Sequence, residues 1–266
     1  MREPVLERRE GPILILTLND PDRANPLSSA IVVALSESLG AAASDEGVRA
    51  VILAGAGRHF SAGADLEALE RIAEAGDEAA IRADTEKLRH LFEVLLGYPK
   101  LTVAAVHGAA VAGGCGLATA CDLVVAEPGA RFAYTEVKIG FLAAIVSTFL
   151  TRRVAGHVAR RMLLDPEIVD GPRAVEFGLA DELAREGDAL TTAVELARSI
   201  SAKASPSALA ATKALLNETV GTGWRQALDA AGEANIRQRM HPECARGVRA
   251  FLDSKKTPDW LEENEE

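Results

Sequence analysis

Two patterns of apolar and polar residues divide this chain. Up to about residue 189, short apolar runs recur between glycine and proline turns, and beyond it helical periodicity takes over. The run Leu101–Val106 carries no charge and is rich in β-branched residues, as a strand buried in a sheet requires. His107-Gly108 breaks it, Gly113, Gly114 and Gly116 follow, and residues 117–120 read as helix. Asp122 ends that helix, and Leu123–Ala126 is a second apolar strand. Upstream, residues 5–9 and 13–19 read as strands parted by the turn pair Gly11-Pro12. Ser28 can cap a helix running to residue 43, with Ile31, Leu35 and Leu39 on one face. Residues 48–54 form a continuous apolar strand. Strand, helix and strand in succession predict an α/β architecture.

Residues 67–97 are charged and helical, with a break at Gly76-Asp77, and read as a solvent-facing wall of a cleft. Residues 142–154 and 158–164 read as helices, 166–172 as a loop, and 174–180 as a helix closed by the C-cap glycine Gly178. Four helices follow, over Ala189–Lys203, 207–220, Trp224–Met240 and 242–255, with Pro242 at a first helical position. The expected division is an α/β core over residues 1–189 and a helical region over 190–266 that packs on neighbouring subunits. The acidic tail 262–266 is expected to be disordered.

With 266 residues, 48% of them hydrophobic, the chain can bury a large core. A net charge of −10 argues against nucleic acid as a partner. An anionic substrate needs a local patch of Lys and Arg. Cys115, Cys121 and Cys244 form no C-x-x-C pair and are odd in number, which suggests free thiols in a reducing compartment. The first ten residues have no apolar core for a signal peptide, and the glycines of the uncharged run 101–121 argue against a membrane span. A soluble, cytoplasmic protein is expected.

The chemistry gathers around residues 100–140. A strand, a glycine turn and a helix starting at the turn present free N–H groups and the positive end of a helix dipole. Such a place binds an anion or a developing negative charge. Glu136 follows shortly, a lone acid between Phe132-Ala133-Tyr134-Thr135 and Val137-Lys138-Ile139-Gly140. Cradle and carboxylate together suggest proton transfer beside an enolate-like oxygen.

Other readings are weaker. Gly55-x-Gly57 begins like a dinucleotide fingerprint, but Phe60 stands in the place of the third glycine. His59 and Ser61 have no G-x-S-x-G around them, so Ser61 reads as an ordinary loop serine. Asp65 precedes a helical run and reads as its cap. None of the five histidines is spaced as a zinc ligand pair, and no metal site is expected.

Phe60-Ser61-Ala62-Gly63-Ala64-Asp65-Leu66, the stretch from Gly108 to Asp122, and Thr135-Glu136-x-x-Ile139-Gly140 occur in the order seen in the crotonase (enoyl-CoA hydratase/isomerase) superfamily. Residues 19–27, Phe177-Gly178-Leu179-Ala180-Asp181 and Ala250-Phe251-Leu252 with Lys255-Lys256 extend the resemblance over essentially the whole chain. It is most similar to bacterial enoyl-CoA hydratases. The resemblance implies a spiral of ββα turns with a C-terminal helical trimerisation region, assembled as a homotrimer or a dimer of trimers. It further implies an acyl-CoA thioester substrate, a place in fatty acid metabolism, and no cofactor apart from the CoA of the substrate.

By the same resemblance, the N–H groups of Ala64 and Gly113 hold the thioester oxygen and Glu136 is the acid/base. Arg23, Ala62, Asp65 and Leu66 lie along the CoA, with Phe251 and Lys255 at its nucleotide end. Tyr134 either bonds in the pocket or packs. One departure is plain. Two-carboxylate hydratases carry a glutamate where this chain has Gly116. The space left by Gly116 is expected to admit a water or a branched acyl chain. Hydratase, isomerase and noncatalytic acyl-CoA binder remain as readings, and hydratase is the expectation.

Overall fold

The computed structural model describes residues 2–261, so the tail 262–266 lies outside the described residues. In chain order its elements are β1 (Val5–Glu10), β2 (Ile13–Leu18), β3 (Pro26–Leu27), α1 (Ser29–Ser44), β4 (Ala50–Gly55), β5 (Gly63–Ala64), α2 (Leu66–Ala75), α3 (Glu78–Leu96) and β6 (Leu101–Val106). There follow β7 (Ala109–Val111), α4 (Gly113–Thr119), β8 (Leu123–Ala126), β9 (Arg131–Ala133), α5 (Ala144–Arg153), α6 (Gly156–Leu164), β10 (Val169–Asp170), α7 (Gly171–Glu176) and β11 (Glu182–Leu183). The helices α8 (Ala189–Lys203), α9 (Pro206–Thr219), α10 (Trp224–Met240) and α11 (Pro242–Ser254) complete the chain.

The long strands form one six-stranded sheet in the order β1-β2-β4-β6-β8-β11. Within that sheet the β1–β2 pair is antiparallel, and β2, β4, β6, β8 and β11 run parallel. The short strands build a second wall. β3 pairs with β5, β7 and β10 flank β9, and a bridge between Ser61 and Ala110 ties the two groups together. Each turn of chain thus gives one long strand, one short strand and then helix: β2-β3-α1, β4-β5-α2-α3, β6-β7-α4, β8-β9-α5.

Side chains alternate across the sheet, as the two-residue strand period demands. Leu14, Leu16, Val51, Leu53, Ala104, Val106 and Val124 face the main core with α1, α3 and α4. Ile13, Ile15, Ala50, Ile52, Val103 and Ala105 face the other way, against Ala189, Ala193, Val194 and Ala197 of α8. That double burial is why β4 and β6 read as unbroken apolar runs rather than alternating ones.

Most boundaries follow their local signals. The Ser28 hydroxyl accepts from the Ile31 N–H at 3.4 Å and opens α1. Asp77 accepts from Ala80 at 3.0 Å and opens α3 at the Gly76-Asp77 break. The helix expected over 117–120 instead begins at Gly113, because the residue before it, not the apolar run after it, sets the start. Ala112 holds φ 49° and ψ −126°, a strained conformation for a residue with a side chain. Its N–H is fixed to the Ala133 carbonyl of β9 at 2.8 Å. The helix expected over 174–180 runs from Gly171 to Glu176 and opens inside the expected loop, capped by Asp170.

Candidate active site

The glycine turn and the loop after β4 meet at the second wall. A Cβ built on Gly63 would lie 3.1 Å from the Gly113 nitrogen, and one built on Gly113 would lie 3.9 Å from the Ala64 nitrogen. The two N–H groups expected to hold an oxyanion are therefore side by side, each on a half-buried residue. Gly113 is the first residue of α4, where N–H groups lack intrahelical acceptors. Its orientation is set by strained Ala112, a residue that no sequence signal singles out, since alanine in left-handed backbone leaves no compositional mark.

Glu136 lies three residues beyond Ala133, the strand partner of Val111, and its charge is felt by the Cys115 thiol of α4. It starts a short 3₁₀ turn that Gly140 closes with φ 73°. The residue is buried, 9% exposed, and its Oε2 has no hydrogen-bond partner. Burial raises its pKa above the ordinary value of 4.5, against N–H groups of Glu136 and Thr135 that pull it down. A carboxyl whose basicity is raised in this way is a stronger base toward a substrate proton than an exposed one.

Tyr134 belongs to the packing. It is 1% exposed, and its hydroxyl is bonded to the Thr119 hydroxyl at 3.0 Å beneath α4. Of its two expected roles, a bond in the pocket or packing, these contacts match packing. The Cys115 thiol, on the same helix, is pushed up to about 12 by burial and stays protonated.

Gly116 brings the larger correction. A Cβ built there would overlap Cγ1 of Val146 on α5 and would come within 3.4 Å of Cζ of Phe92 on α3. Phe92 in turn packs on Phe149, their centroids 5.2 Å apart. The expected free space beside Gly116 is filled by apolar side chains, so neither water nor an acyl branch enters there.

Asp65 caps α2, accepting from the Ala68 N–H at 3.2 Å, and also receives Arg23 Nη2 at 2.7 Å. Burial opposes its charge, yet Arg23 and the Ala68 N–H hold its pKa below the ordinary range. The Ala62 N–H is bound to the Ala24 carbonyl at 2.8 Å, and Leu66 is 57% exposed. Phe251 of α11 and Lys255, which caps that helix, lie together, Lys255 Nζ 5.8 Å from the ring centroid. Among the described residues no hydrogen bond or ion pair joins either of them to Arg23 or Asp65. His59 and Ser61 do not form a nucleophile pair. His59 Nδ1 accepts from the Ala109 N–H at 3.1 Å, and the serine hydroxyl turns to Asn25.

Residues 8–263 match the family described as enoyl-CoA hydratase/isomerase, and the chain belongs to that family. A Thermus thermophilus protein provisionally named an enoyl-CoA hydratase is 44% identical over 251 residues, covering 94% of this chain and 98% of its own. The 2,3-dehydroadipyl-CoA hydratase of Escherichia coli is 35% identical over 98% of this chain and 99% of its own. Among solved structures, an enoyl-CoA hydratase of Mycobacterium smegmatis superposes with a TM-score of 0.89 at 32% identity, over 98% of this chain and 100% of that one. The spiral of long strand, short strand and helix is thus the crotonase fold, as the motifs implied. No described helix is long and apolar enough to cross a membrane.

Proposed function

We propose that this protein is an enoyl-CoA hydratase with one catalytic carboxylate, acting on a 2-enoyl-CoA thioester. The thioester oxygen sits between the N–H groups of Ala64 and Gly113. Glu136 takes a proton from water as the water oxygen bonds to C3. The electrons of the C2–C3 double bond move onto the thioester oxygen, and the enolate then takes the proton from Glu136 at C2. Donors already in place stabilise the enolate more than the ground state, which is what raises the rate. The observation that carries this reading is the buried Glu136 carboxyl, with an unpartnered oxygen and a raised pKa, three residues after the strand that pairs with β7 before the glycine turn. The hydratase names of the relatives support the direction of reaction. The CoA would run along Ala62, Asp65 and Leu66 past Arg23, with Phe251 and Lys255 at its nucleotide end, in a trimer or a dimer of trimers.

A second reading has its own observation. Val146 and Phe92 fill the second carboxylate's position with apolar surface. A lone base beside a dry wall suits an isomerase, which removes a proton from C2 of a 3-enoyl-CoA and returns one to C4. The test is to supply 2-enoyl- and 3-enoyl-CoA separately and identify the products. A 3-hydroxyacyl-CoA from the first supports the hydratase. Conversion of the second, with no hydration of the first, gives the case to the isomerase. Failure of both, and of C2 deuterium exchange, leaves an acyl-CoA binder.

A further inference from the structure

Ser61 is completely buried, although the reading of the sequence gives it no role. Its hydroxyl donates to the main-chain carbonyl of Asn25 at 2.8 Å and accepts from the Gly63 N–H at 3.2 Å. Its own N–H donates to the Ala109 carbonyl, and its carbonyl accepts from Val111, each at 3.0 Å. Gly114 packs directly upon it: a Cβ at Gly114 would lie 2.5 Å from the Ser61 carbonyl oxygen and 2.7 Å from Oγ. Gly63 is the neighbour of Ala64, and Gly114 is the neighbour of Gly113. One side chain thus touches the residue next to each N–H group assigned to the oxyanion.

The far end of this contact is rigid. Asn25 is fully buried with φ 53°. Its side-chain amide donates to the carbonyls of Ala56, His59 and Phe60 at 2.9, 2.8 and 3.2 Å, and its Oδ1 accepts from the Asp20 N–H at 2.9 Å. A serine that only satisfied a loop would reach one local backbone group. This one links three separate segments, and two of them carry the proposed donors.

We propose that Ser61 is a positioning residue that sets the separation of the Ala64 and Gly113 N–H groups, an inference that rests on their assignment to the thioester oxygen. Without the hydroxyl, the Gly63 N–H and the Asn25 carbonyl lose a buried partner, and the Ala64 turn is free to shift against α4. Oxyanion stabilisation depends on donors held at the position the charged oxygen will take, so a small shift lowers turnover more than binding.

The experiment uses Ser61→Ala and Ser61→Cys in the full chain, with thermal unfolding as a control. A short saturated acyl-CoA, labelled with ¹³C at the thioester carbonyl, is bound, and its carbonyl stretch is read by difference infrared spectroscopy. Turnover is measured on a 2-enoyl-CoA and on a 3-enoyl-CoA. In the wild type the stretch moves to lower frequency on binding. In Ser61→Ala this shift shrinks and kcat falls roughly ten- to hundredfold, with affinity for the saturated thioester within about twofold. Ser61→Cys, a weaker and longer donor, falls between the two, and it decides the matter if the alanine variant does not fold. A folded variant with the full wild-type shift and wild-type kcat overturns the inference. No shift in the wild type itself overturns the assignment of the two N–H groups, and the inference with it.

Discussion

Arg23 is bound to Asp65, its Nη2 lying 2.7 Å from Oδ1, with Glu67 at 3.3 Å and Asp20 at 3.6 Å. The guanidinium proposed to meet CoA already faces three carboxylates. A phosphate must compete with them, so Arg23 contributes the modest energy of an exposed pair. Arg23→Ala is expected to raise KM about two- to fivefold, leave kcat unchanged, and lose its effect as salt is added. Steady-state kinetics at two ionic strengths check this, and a fall in kcat with unchanged KM would contradict it.

Glu136→Gln is expected to lower kcat by about 10²–10⁴ while acyl-CoA still binds, since only proton transfer is removed. Binding by calorimetry and turnover on the same preparation separate the two effects. Wild-type turnover would remove Glu136 from the mechanism.

The same variant has a stability signature. The folded pKa of Glu136 is raised, so the stability linked to its proton is present below the unfolded value of 4.5 and is lost as pH rises through the folded one. Above that unfolded value the wild type therefore bears a cost of burying this carboxyl that Gln lacks. Glu136→Gln should melt higher than wild type at pH 7, with the gap closing toward pH 4. Melting curves across that range test the sign, and a gap that widens on acidification would refute it.

Gly116→Ala should destabilise by about 1–3 kcal/mol through overpacking against Val146. Adding Val146→Ala should recover part of that loss, since the clash is then relieved. A double-mutant cycle by denaturant unfolding measures the coupling, and simple additivity would mean the contact is absent.

Helices α9, α10 and α11 have no buried residue, and they expose Leu216, Trp224, Leu228, Ile236, Met240 and Leu252. So much apolar surface on three consecutive helices calls for a partner. A trimer or hexamer of the 28.0 kDa chain is expected by light scattering, and Leu228→Asp should weaken it. A stable monomer at micromolar concentration would sink the idea.

Much of the fold was legible because its signals are local. The β6 and β8 strands, the α1 cap, the break before α3 and the C-terminal helices are marked by apolar runs, a serine cap, and glycine or proline stops. The short strands β7, β9 and β10 were not legible. Each has two or three residues, and pairing across the chain, not local preference, makes them extended. At the candidate site, Glu136 and the Gly113 turn stood out by residue type. The roles of Ala112 and Ser61 did not, because one lies in a backbone angle and the other in contacts with segments distant in sequence. Gly116 misled for the same reason, since an absent side chain says nothing of what fills its place.

The fit of Val146 against Gly116 also bears on descent. A glutamate gained at Gly116 by a single change would meet α5 before it met any substrate, so that change is closed while Val146 stands. The opposite order, a smaller residue at Val146 first and the acid afterwards, removes the overlap before the acid arrives. Whichever chemistry this chain performs, its path to a two-carboxylate relative is therefore directional, and the gate is a methyl group on a neighbouring helix rather than the catalytic residue itself.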